Sequence, residues 1–376
     1  MRSSALVSAL ALALAIACNG DRDTEGSAPA ASRPAPATPP AKPVADAKAP
    51  PVRKDGTVFG DGVLMGTSIS INVWLDPGRD PADAGAAMNA AFDEIARIEA
   101  IMSEWQSTSE LSRLNAAAGG EPIPLSPELF FVLKRSKEIS EITGGAFDVT
   151  FYGVGQLWTF ERGAKPPSAA AIAEKVALVN WRGIELDDAE GTPRGRLARP
   201  GMKVGLGAIA KGYAVDRASA VLREHGFTNH VVEGGGDTYV SGTKGGKPWM
   251  VGVQNPVREG PGPHVIGGLP SSNRAVVTSG DYERYFEYEG RRYAHIFDPR
   301  TGYPLEESKS ALSVTLVGAN ATDADAYCTA VAVMGPERGM AFVEERPELE
   351  AIIITRTGDV LISTGLQHEF VRAPPK

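Results

Sequence analysis

Hydrophobic residues recur along the chain with two different periods. Residues 68–74 (SISINVW) alternate apolar and polar side chains, which predicts a strand with one solvent-facing side. Apolar residues then recur at every third or fourth position, which is typical of an amphipathic helix lying on a sheet. The members of this stripe are Ala84, Met88, Ala91, Ile95, Ile98 and Met102.

Helix-end signals and β-branched runs predict the remaining elements. A helix is expected over residues 127–142, with Pro127 in its first turn and two glycines after its end. Another is expected over residues 209–225, closed by Gly226. Strands are predicted at residues 230–233, 249–253, 312–317 and 351–355. Because helices and strands alternate without a strict βαβ rhythm, we predict an α+β fold with mixed or antiparallel sheets flanked by helices.

The first 55 residues differ in composition from the rest. A positive start, an apolar run over residues 5–16 and small residues before Cys18 predict a lipoprotein signal peptide over residues 1–18. An ordinary secretory signal is the alternative. Residues 19–55 are rich in alanine and proline, which predicts a disordered tether before a folded domain over residues 56–370. We therefore expect a protein of the bacterial cell envelope, anchored to a membrane by a lipid on Cys18 and facing the periplasm or exterior.

The charge and the cysteine content limit which partners and which disulfides are expected. The chain has 376 residues, a formal net charge of −8 and two cysteines. The negative charge and the lack of a lysine and arginine cluster argue against nucleic acid as a partner. Once Cys18 carries a lipid, only Cys328 remains, so no intramolecular disulfide is expected.

Residues 275–304 combine polar side chains with two turn signals. Strands at residues 285–288 and 292–297, joined by a Glu289-Gly290 turn, would bring His295 to a strand end that faces a loop. Asp298 follows three residues later. A histidine near a carboxylate can act as a base at neutral pH, but a histidine hydrogen-bonded into a turn is an equally good interpretation.

Residues 321–334 predict a helix that carries oxygen ligands. Asp325 and Thr329 are four residues apart and therefore share a helical face. A carboxylate and a hydroxyl together suit Mg²⁺, which prefers oxygen ligands. The alternative is that Asp323 and Asp325 only stabilise the helix N-terminus while Thr329 packs.

Three glycine-rich segments are further candidates. Residues 203–216 (KVGLGAIAKGYAVD) precede a helix and could bring Lys211 to phosphates, although the spacing of a phosphate-binding GxxxxGK[ST] loop is absent. Residues 232–237 (VEGGGD) indicate either a close ligand approach or a bend. In residues 144–150 (GGAFDVT), Phe147 and Asp148 could hold a ring system, although a packing phenylalanine and a capping aspartate are commoner.

In their order along the chain, these segments resemble the ApbE family, the FAD:protein FMN transferases. The resemblance covers roughly residues 58–365. The matching pieces are Met65-Gly66-Thr67, MSEWQSTSELSRLN from Met102, GGAFDVT, GLGAIAKGYAVD, EGGGD, TSGDYERYF, HIFDPRTGYP and TDADAYCTA.

The resemblance implies roles for individual residues. Mg²⁺ would be held by the carbonyl of Ala208 and by the side chains of Asp325 and Thr329. The catalytic base would be His295, with Asp298 or Asp281 close by. Flavin contacts would fall on Met65, Trp105, Ala146, Phe147, Asp148 and Lys211.

One position departs from the family pattern. Family members often carry an aspartate where this chain has Gly205. If that aspartate normally accepts a hydrogen bond from the flavin, its loss would weaken or redirect FAD binding unless a neighbouring carboxylate replaces it. Asp281 or Glu233 is our hypothesis for the replacement.

The resemblance also implies an activity. A threonine or serine hydroxyl of an acceptor protein with a D-x-x-[ST]-G-A-T segment would receive the FMN moiety of FAD, and AMP would leave. Two alternatives stay open, namely hydrolysis of FAD to FMN and AMP in the same site, and a flavin-binding lipoprotein without turnover.

Overall fold

Helices and strands follow each other throughout the part of the chain that the structure describes. This computed structural model describes residues 49–373 except residues 162, 190, 258–264 and 282–284. The helices are α1 Pro81–Met102, α2 Glu110–Ala116, α3 Pro127–Ile142, α4 Tyr152–Gly155, α5 Ala169–Val176, α6 Ala210–Glu224, α7 Ala321–Met334 and α8 Pro336–Glu344. The strands are β1 Thr57–Leu64, β2 Thr67–Trp74, β3 Ile123–Pro124, β4 Ile184–Asp187, β5 Arg194–Leu197, β6 His230–Gly234, β7 Asp237–Ser241, β8 Trp249–Gln254, β9 Val265–Ser271, β10 Arg274–Gly280, β11 Tyr285–Tyr288, β12 Arg291–Ala294, β13 Phe297–Asp298, β14 Tyr303–Pro304, β15 Ala311–Gly318, β16 Glu350–Thr355, β17 Val360–Ile362 and β18 Val371–Arg372.

An eight-stranded sheet forms the centre of this architecture. Its strand order is β1-β2-β6-β7-β10-β15-β16-β17, and each neighbouring pair is antiparallel. Along β10, Val277 joins the main hydrophobic core and the adjacent Val276 joins a second core. Side chains of a strand alternate between faces, so both faces of the sheet are covered. The predicted α+β class with antiparallel sheets and flanking helices is confirmed.

Helices α1, α6 and α7 contribute to the main core beside the sheet. The six residues of the predicted α1 stripe are all buried. Helix α3 has the predicted bounds, and the predicted ends of α6, Ile209 and His225, are its capping residues. The four predicted strands correspond to β6, β8, β15 and β16 within one residue at each end. The helices were predictable because each buries an apolar stripe, and β15 and β16 because a short β-branched run is typical of a strand buried on both faces.

Three hairpins have two-residue turns with positive φ at both central residues. The turns are Met65-Gly66 between β1 and β2, Gly235-Gly236 between β6 and β7, and Glu289-Gly290 between β11 and β12. This backbone is typical of the tight turns whose twist matches that of the strands. The triple glycine is therefore a bend, and the predicted hairpin at Glu289 is confirmed.

The second strand of that hairpin is shorter than predicted. It ends at Ala294, and the chain then forms a separate short ladder in which Phe297 pairs with Pro304. Phe297 lies 5.4 Å from the ring of Trp158 and 5.1 Å from that of Phe151, between ring centroids. Packing into this aromatic cluster diverts the chain from the hairpin. We call residues 295–304 the aromatic loop.

The N-terminal predictions fall outside the described residues. The signal peptide, Cys18 and most of the tether belong to residues 1–48, whereas β1 begins at Thr57. Among the residues that the structure describes, no helix is long and apolar enough to cross a membrane.

Candidate functional site

A lysine and two aspartates meet where the N-terminal ends of α6 and α7 approach the start of β7. Lys211 Nζ lies 2.6 Å from Asp237 Oδ2 and 3.6 Å from Asp325 Oδ2. The lysine side chain keeps 27% of its surface exposed, whereas the two aspartates keep 2% and 4%. We call these three residues the helix-end cluster. When both carboxylates are ionised they exceed the single ammonium charge, so the cluster favours an added cation.

Gly212 allows the two helices to approach each other this closely. A Cβ on Gly212 would overlap the carbonyl oxygen of Ala321 and stand 2.9 Å from Cβ of Asp325. The Gly212 N–H donates to Asp325 Oδ2 at 3.2 Å. Gly212 is the third residue of α6, so no carbonyl within the helix is available to this N–H. The Asp325 carboxylate thus satisfies one of the N–H groups that the start of α6 leaves without a partner inside the helix.

Asp216 fixes the start of α7. Its carboxylate accepts hydrogen bonds from the Ala321 N–H at 2.9 Å, the Thr322 N–H at 2.8 Å and the Thr322 hydroxyl at 2.6 Å. Asn320 caps the same helix by accepting from the Asp323 N–H at 2.8 Å. The first-turn donors of α7 are thus satisfied by α6 and by the cap. Asp325 is held one turn further along.

The electrostatics of the cluster follow from burial and mutual contact. Burial alone lowers the pKa of Lys211, but Asp237 and Asp325 outweigh it and the pKa lies above the ordinary value. Burial, followed by the charge of Asp325, raises the pKa of Asp237 well above its usual range, although Lys211 opposes this. The lysine therefore stays charged, and Asp237 holds its proton more firmly than an exposed aspartate does.

The donor set fits a hard cation such as Mg²⁺. It consists of the Asp325 carboxylate, the Thr329 hydroxyl one turn later on α7, and the Ala208 carbonyl before α6. All three are oxygen ligands, which Mg²⁺ prefers, and phosphates and waters usually complete its coordination. Within the described ranges, no group of three or more histidine, cysteine, aspartate or glutamate side chains could hold a metal. A site here has to use the mixed set.

Asp323 has a structural role. Its two carboxylate oxygens accept from Arg135 Nε at 2.7 Å and Arg135 Nη2 at 3.1 Å, which ties α7 to α3. The interpretation of first-turn acids as purely structural is therefore supported for Asp323. For Asp325, which accepts from the Gly212 N–H and lies beside Lys211, the structural and the metal-binding interpretations both stay open.

Two of the expected flavin contacts lie at turns. The Met65 N–H donates to Glu99 Oε2 at 3.0 Å, and Met65 has φ of 52°. Trp105 is 78% exposed, and its ring stands edge-on to Tyr152 with centroids 6.3 Å apart. Trp105 is the most exposed large hydrophobic side chain of the described residues, and its contact with a flavin stays a prediction.

Residues 146–148 are engaged by the protein itself. Ala146 and Phe147 are buried in the main core. The Asp148 carboxylate accepts from the Thr150 N–H at 2.8 Å, the Thr150 hydroxyl at 2.6 Å and the Trp181 N–H at 3.1 Å. Burial raises the pKa of Asp148, and these hydrogen bonds oppose the shift. The alternative of a packing phenylalanine and a capping aspartate accounts for both side chains, and their flavin contact stays a prediction.

The catalytic candidates lie in and around the aromatic loop. The His295 ring stands edge-on to Phe160, with centroids 6.4 Å apart. Asp298 binds Arg300 through both carboxylate oxygens at 2.7 and 2.8 Å. Burial by itself would raise the pKa of Asp298, but the hydrogen bonds and the charge of Arg300 have the larger combined effect, so the pKa lies below its ordinary value. Asp281 is buried in contact with Arg356. Each acid is therefore paired with an arginine, and pairing of either acid with His295 stays a prediction.

The carboxylates proposed to replace an aspartate at position 205 are engaged elsewhere. Glu233 accepts from the Gly236 N–H at 3.1 Å and from the Ser70 hydroxyl at 3.3 Å. Asp281 contacts Arg356, as described above. At residues 205–207 a different carboxylate comes close, that of Glu104, whose Oε1 would lie 3.6 Å from a Cβ on Gly207.

Asp237 is the site residue that sequence reasoning missed. It ended a motif interpreted only through its glycines. Since Gly235 and Gly236 form a two-residue turn, Gly234 pairs with Asp237, which becomes the first residue of β7. A run of three glycines between two β-branched stretches was the available signal.

The fold and the site together define an α+β protein that gathers oxygen ligands and a lysine at the N-terminal ends of two helices. The model of the ApbE family matches residues 65–353. The chain belongs to the ApbE family.

Individual relatives cover most of the chain. A FAD:protein FMN transferase of Klebsiella pneumoniae (strain 342) is 33% identical over 318 residues, which is 84% of this chain and 95% of the relative. A FAD:protein FMN transferase of Treponema pallidum (strain Nichols) is 33% identical and covers 81% of this chain and 86% of its own length.

Solved structures agree with the fold. The ApbE protein of Thermotoga maritima superposes with a TM-score of 0.74 at 31% identity, over 83% of this chain and 99% of that one. The flavin transferase ApbE of Vibrio cholerae superposes with a TM-score of 0.73 at 29% identity, over 83% and 99%.

Proposed function

We propose that this protein is an enzyme that transfers the FMN moiety of FAD to a threonine or serine hydroxyl of an acceptor protein, with Mg²⁺ as cofactor and AMP as the leaving product. The observation that carries the proposal is the helix-end cluster, where Lys211 lies beside Asp325 and the Gly212 N–H at the start of α6 donates to the same carboxylate. Its relatives, named FAD:protein FMN transferases, support the same activity.

The reaction exchanges one phosphorus–oxygen bond for another. The acceptor hydroxyl oxygen attacks the phosphorus on the FMN side of the pyrophosphate, the bond from that phosphorus to the bridging oxygen breaks, and AMP leaves with the bridging oxygen. The hydroxyl proton passes to a base. Such a transfer needs mainly alignment of the two oxygens and stabilisation of negative charge on the phosphoryl oxygens.

The protein's own residues fit these tasks. Lys211 provides a fixed positive charge, and the N-terminal end of α6 adds backbone N–H groups that favour phosphate. Asp325, Thr329 and the Ala208 carbonyl would hold Mg²⁺, which when bound neutralises charge on the pyrophosphate. His295 is the candidate base, because histidine accepts a proton near neutral pH. Trp105 offers an exposed ring face to the flavin.

The location is part of the proposal. A lipid on Cys18 would hold the domain at a membrane of the cell envelope, facing the periplasm or exterior. The tether before β1 would let the site reach an acceptor protein carrying a D-x-x-[ST]-G-A-T segment.

Intact-mass measurement of the acceptor tests the activity. The fragment from Lys54 onward is incubated with FAD, Mg²⁺ and an acceptor that carries this segment. The expected result is a mass gain of one FMN phosphoryl unit, which EDTA abolishes. An unmodified acceptor with free FMN and AMP would favour the hydrolase, and intact FAD would contradict both reactions.

A further inference from the structure

A carboxylate from another part of the chain lies on the glycine-rich segment 205–207. Glu104 belongs to the connection between α1 and α2, and its Oε1 would stand 3.6 Å from a Cβ on Gly207. Burial raises the pKa of Glu104, while the backbone N–H groups of Glu104 and Leu206 stabilise the charged form. The carboxylate is therefore directed to the backbone that leads into α6.

Tyr152 occupies the space that a side chain at position 205 would need. A Cβ on Gly205 would lie 2.8 Å from Cγ and Cδ2 of the Tyr152 ring, well inside van der Waals distance. The Tyr152 hydroxyl donates to the backbone carbonyl of Glu104 at 3.4 Å. Burial, followed by the charge of Glu104, raises the pKa of Tyr152 to about 12, so the phenol keeps its proton and remains a donor. Glycine at 205, Tyr152 and Glu104 therefore form one packed unit.

The same connection presents Trp105 to solvent. The Trp105 N–H donates to Ser103 Oγ at 3.3 Å, and the Ser109 hydroxyl donates to the Ser103 carbonyl at 2.6 Å. These bonds fold the residues after α1 into a closed turn. Since Tyr152 contacts both Trp105 and Gly205, the position of the exposed ring is tied to the segment that precedes Lys211.

We propose that Glu104 is a positioning residue for FAD. Its carboxylate connects the turn that carries Trp105 with the glycine-rich segment 205–207, which leads to Ala208 and Lys211. The flavin end and the phosphate end of the site are then held at a fixed separation by Glu104 and Tyr152. The inference rests on the proposed function, because FAD is the ligand that needs both ends. It also explains how the chain accommodates glycine at 205 without help from Asp281 or Glu233.

FAD binding and turnover separate this role from a general loss of stability. The dissociation constant of FAD is measured by flavin fluorescence anisotropy with Mg²⁺ present and acceptor absent, and KM and kcat are measured with acceptor. In Glu104→Ala we expect FAD affinity to fall about tenfold, as for the loss of one charge-assisted hydrogen bond. The value of kcat at saturating FAD should stay within about twofold, because ground-state and transition-state binding are weakened alike.

Two further variants define the interpretation. Glu104→Gln keeps an oxygen acceptor but loses the charge, so FAD affinity should fall by less, about threefold. Glu121→Ala removes an exposed glutamate from a loop and should leave both constants unchanged. An unchanged dissociation constant in folded Glu104→Ala would overturn the inference, and so would an equal fall in Glu121→Ala. Should Glu104→Ala fail to fold, an unchanged constant in Glu104→Gln has the same force. No FAD binding by the unsubstituted protein would overturn the proposed function itself.

Discussion

The helix-end cluster and the aromatic loop are held in place by different means. Lys211, Asp237 and Asp325 are fixed by helix ends, a tight hairpin and a glycine that lets two helices touch. His295 and Asp298 lie on turns that are anchored by ring packing and by an arginine pair. The first region is preorganised by regular backbone, which the proposed metal and phosphate site would require. The second has short strands and turns, the kind of segment that adapts when a second protein binds.

The largest effect should come from the helix-end cluster. Asp325→Ala removes the carboxylate proposed to hold Mg²⁺, and Mg²⁺-dependent turnover should fall by about a thousandfold or more, which is about 4 kcal/mol in the transition state. Turnover is followed as AMP release at saturating Mg²⁺. Asp323→Ala is the matched control, because it removes the same side chain two residues earlier on the same helix and should only weaken the tie to Arg135. Near-normal turnover in Asp325→Ala would refute its assignment as a metal ligand.

A smaller effect, of different character, is expected in the aromatic loop. His295→Asn removes the candidate base while keeping a polar side chain, and kcat should fall about a hundredfold, with FAD affinity unchanged. Steady-state kinetics and FAD titration measure the two quantities. His225→Asn, at an exposed position after α6, serves as the control. If FAD affinity falls together with kcat, His295 contributes to FAD binding and its assignment as a base alone is wrong.

As the pH falls, the contacts around α6 should lose stability at a higher pH than the aromatic loop does. His230 is buried between Ser219 and the Phe227 carbonyl, and burial lowers its pKa from 6.5 to about 4. Between pH 6.5 and pH 4 the histidine is protonated in the unfolded chain but stays neutral in the folded chain. The contribution of His230 to the free energy of unfolding is therefore fully present above pH 6.5 and decreases as the pH falls towards 4. The loss approaches about 3 kcal/mol. Asp298, whose pKa is lowered, loses its contribution only at lower pH.

Urea unfolding between pH 7 and pH 4, an interval set by the ordinary titration range of histidine, measures this loss. His230→Gln should show a flatter pH dependence because the titrating group is gone. The same slope in both proteins would assign the acid sensitivity to other groups.

The sequence was most informative where a local pattern of residues is compatible with a single type of secondary structure. Proline before an apolar stripe marked the start of α3, and the four-residue spacing of Asp325 and Thr329 placed both on one face of the predicted α7. Spacing could not show that Asp237, at the start of β7, reaches Lys211, because that contact depends on which strand ends meet in the sheet. The contact of Glu104 with the glycine-rich segment likewise joins residues that are distant in the chain. The early end of β12 depends on packing against Phe151 and Trp158, which flank α4 and are distant in the chain, so no local pattern records it.

Met65 shows what the site costs the fold. It occupies a left-handed turn position with φ of 52°, where asparagine or glycine is the usual choice and a bulky side chain costs roughly 1 kcal/mol. A substitution chosen for thermal tolerance alone would therefore replace this methionine. Such a stabilising substitution would raise the thermal stability of the domain and at the same time remove the side chain that the family resemblance assigns to the flavin.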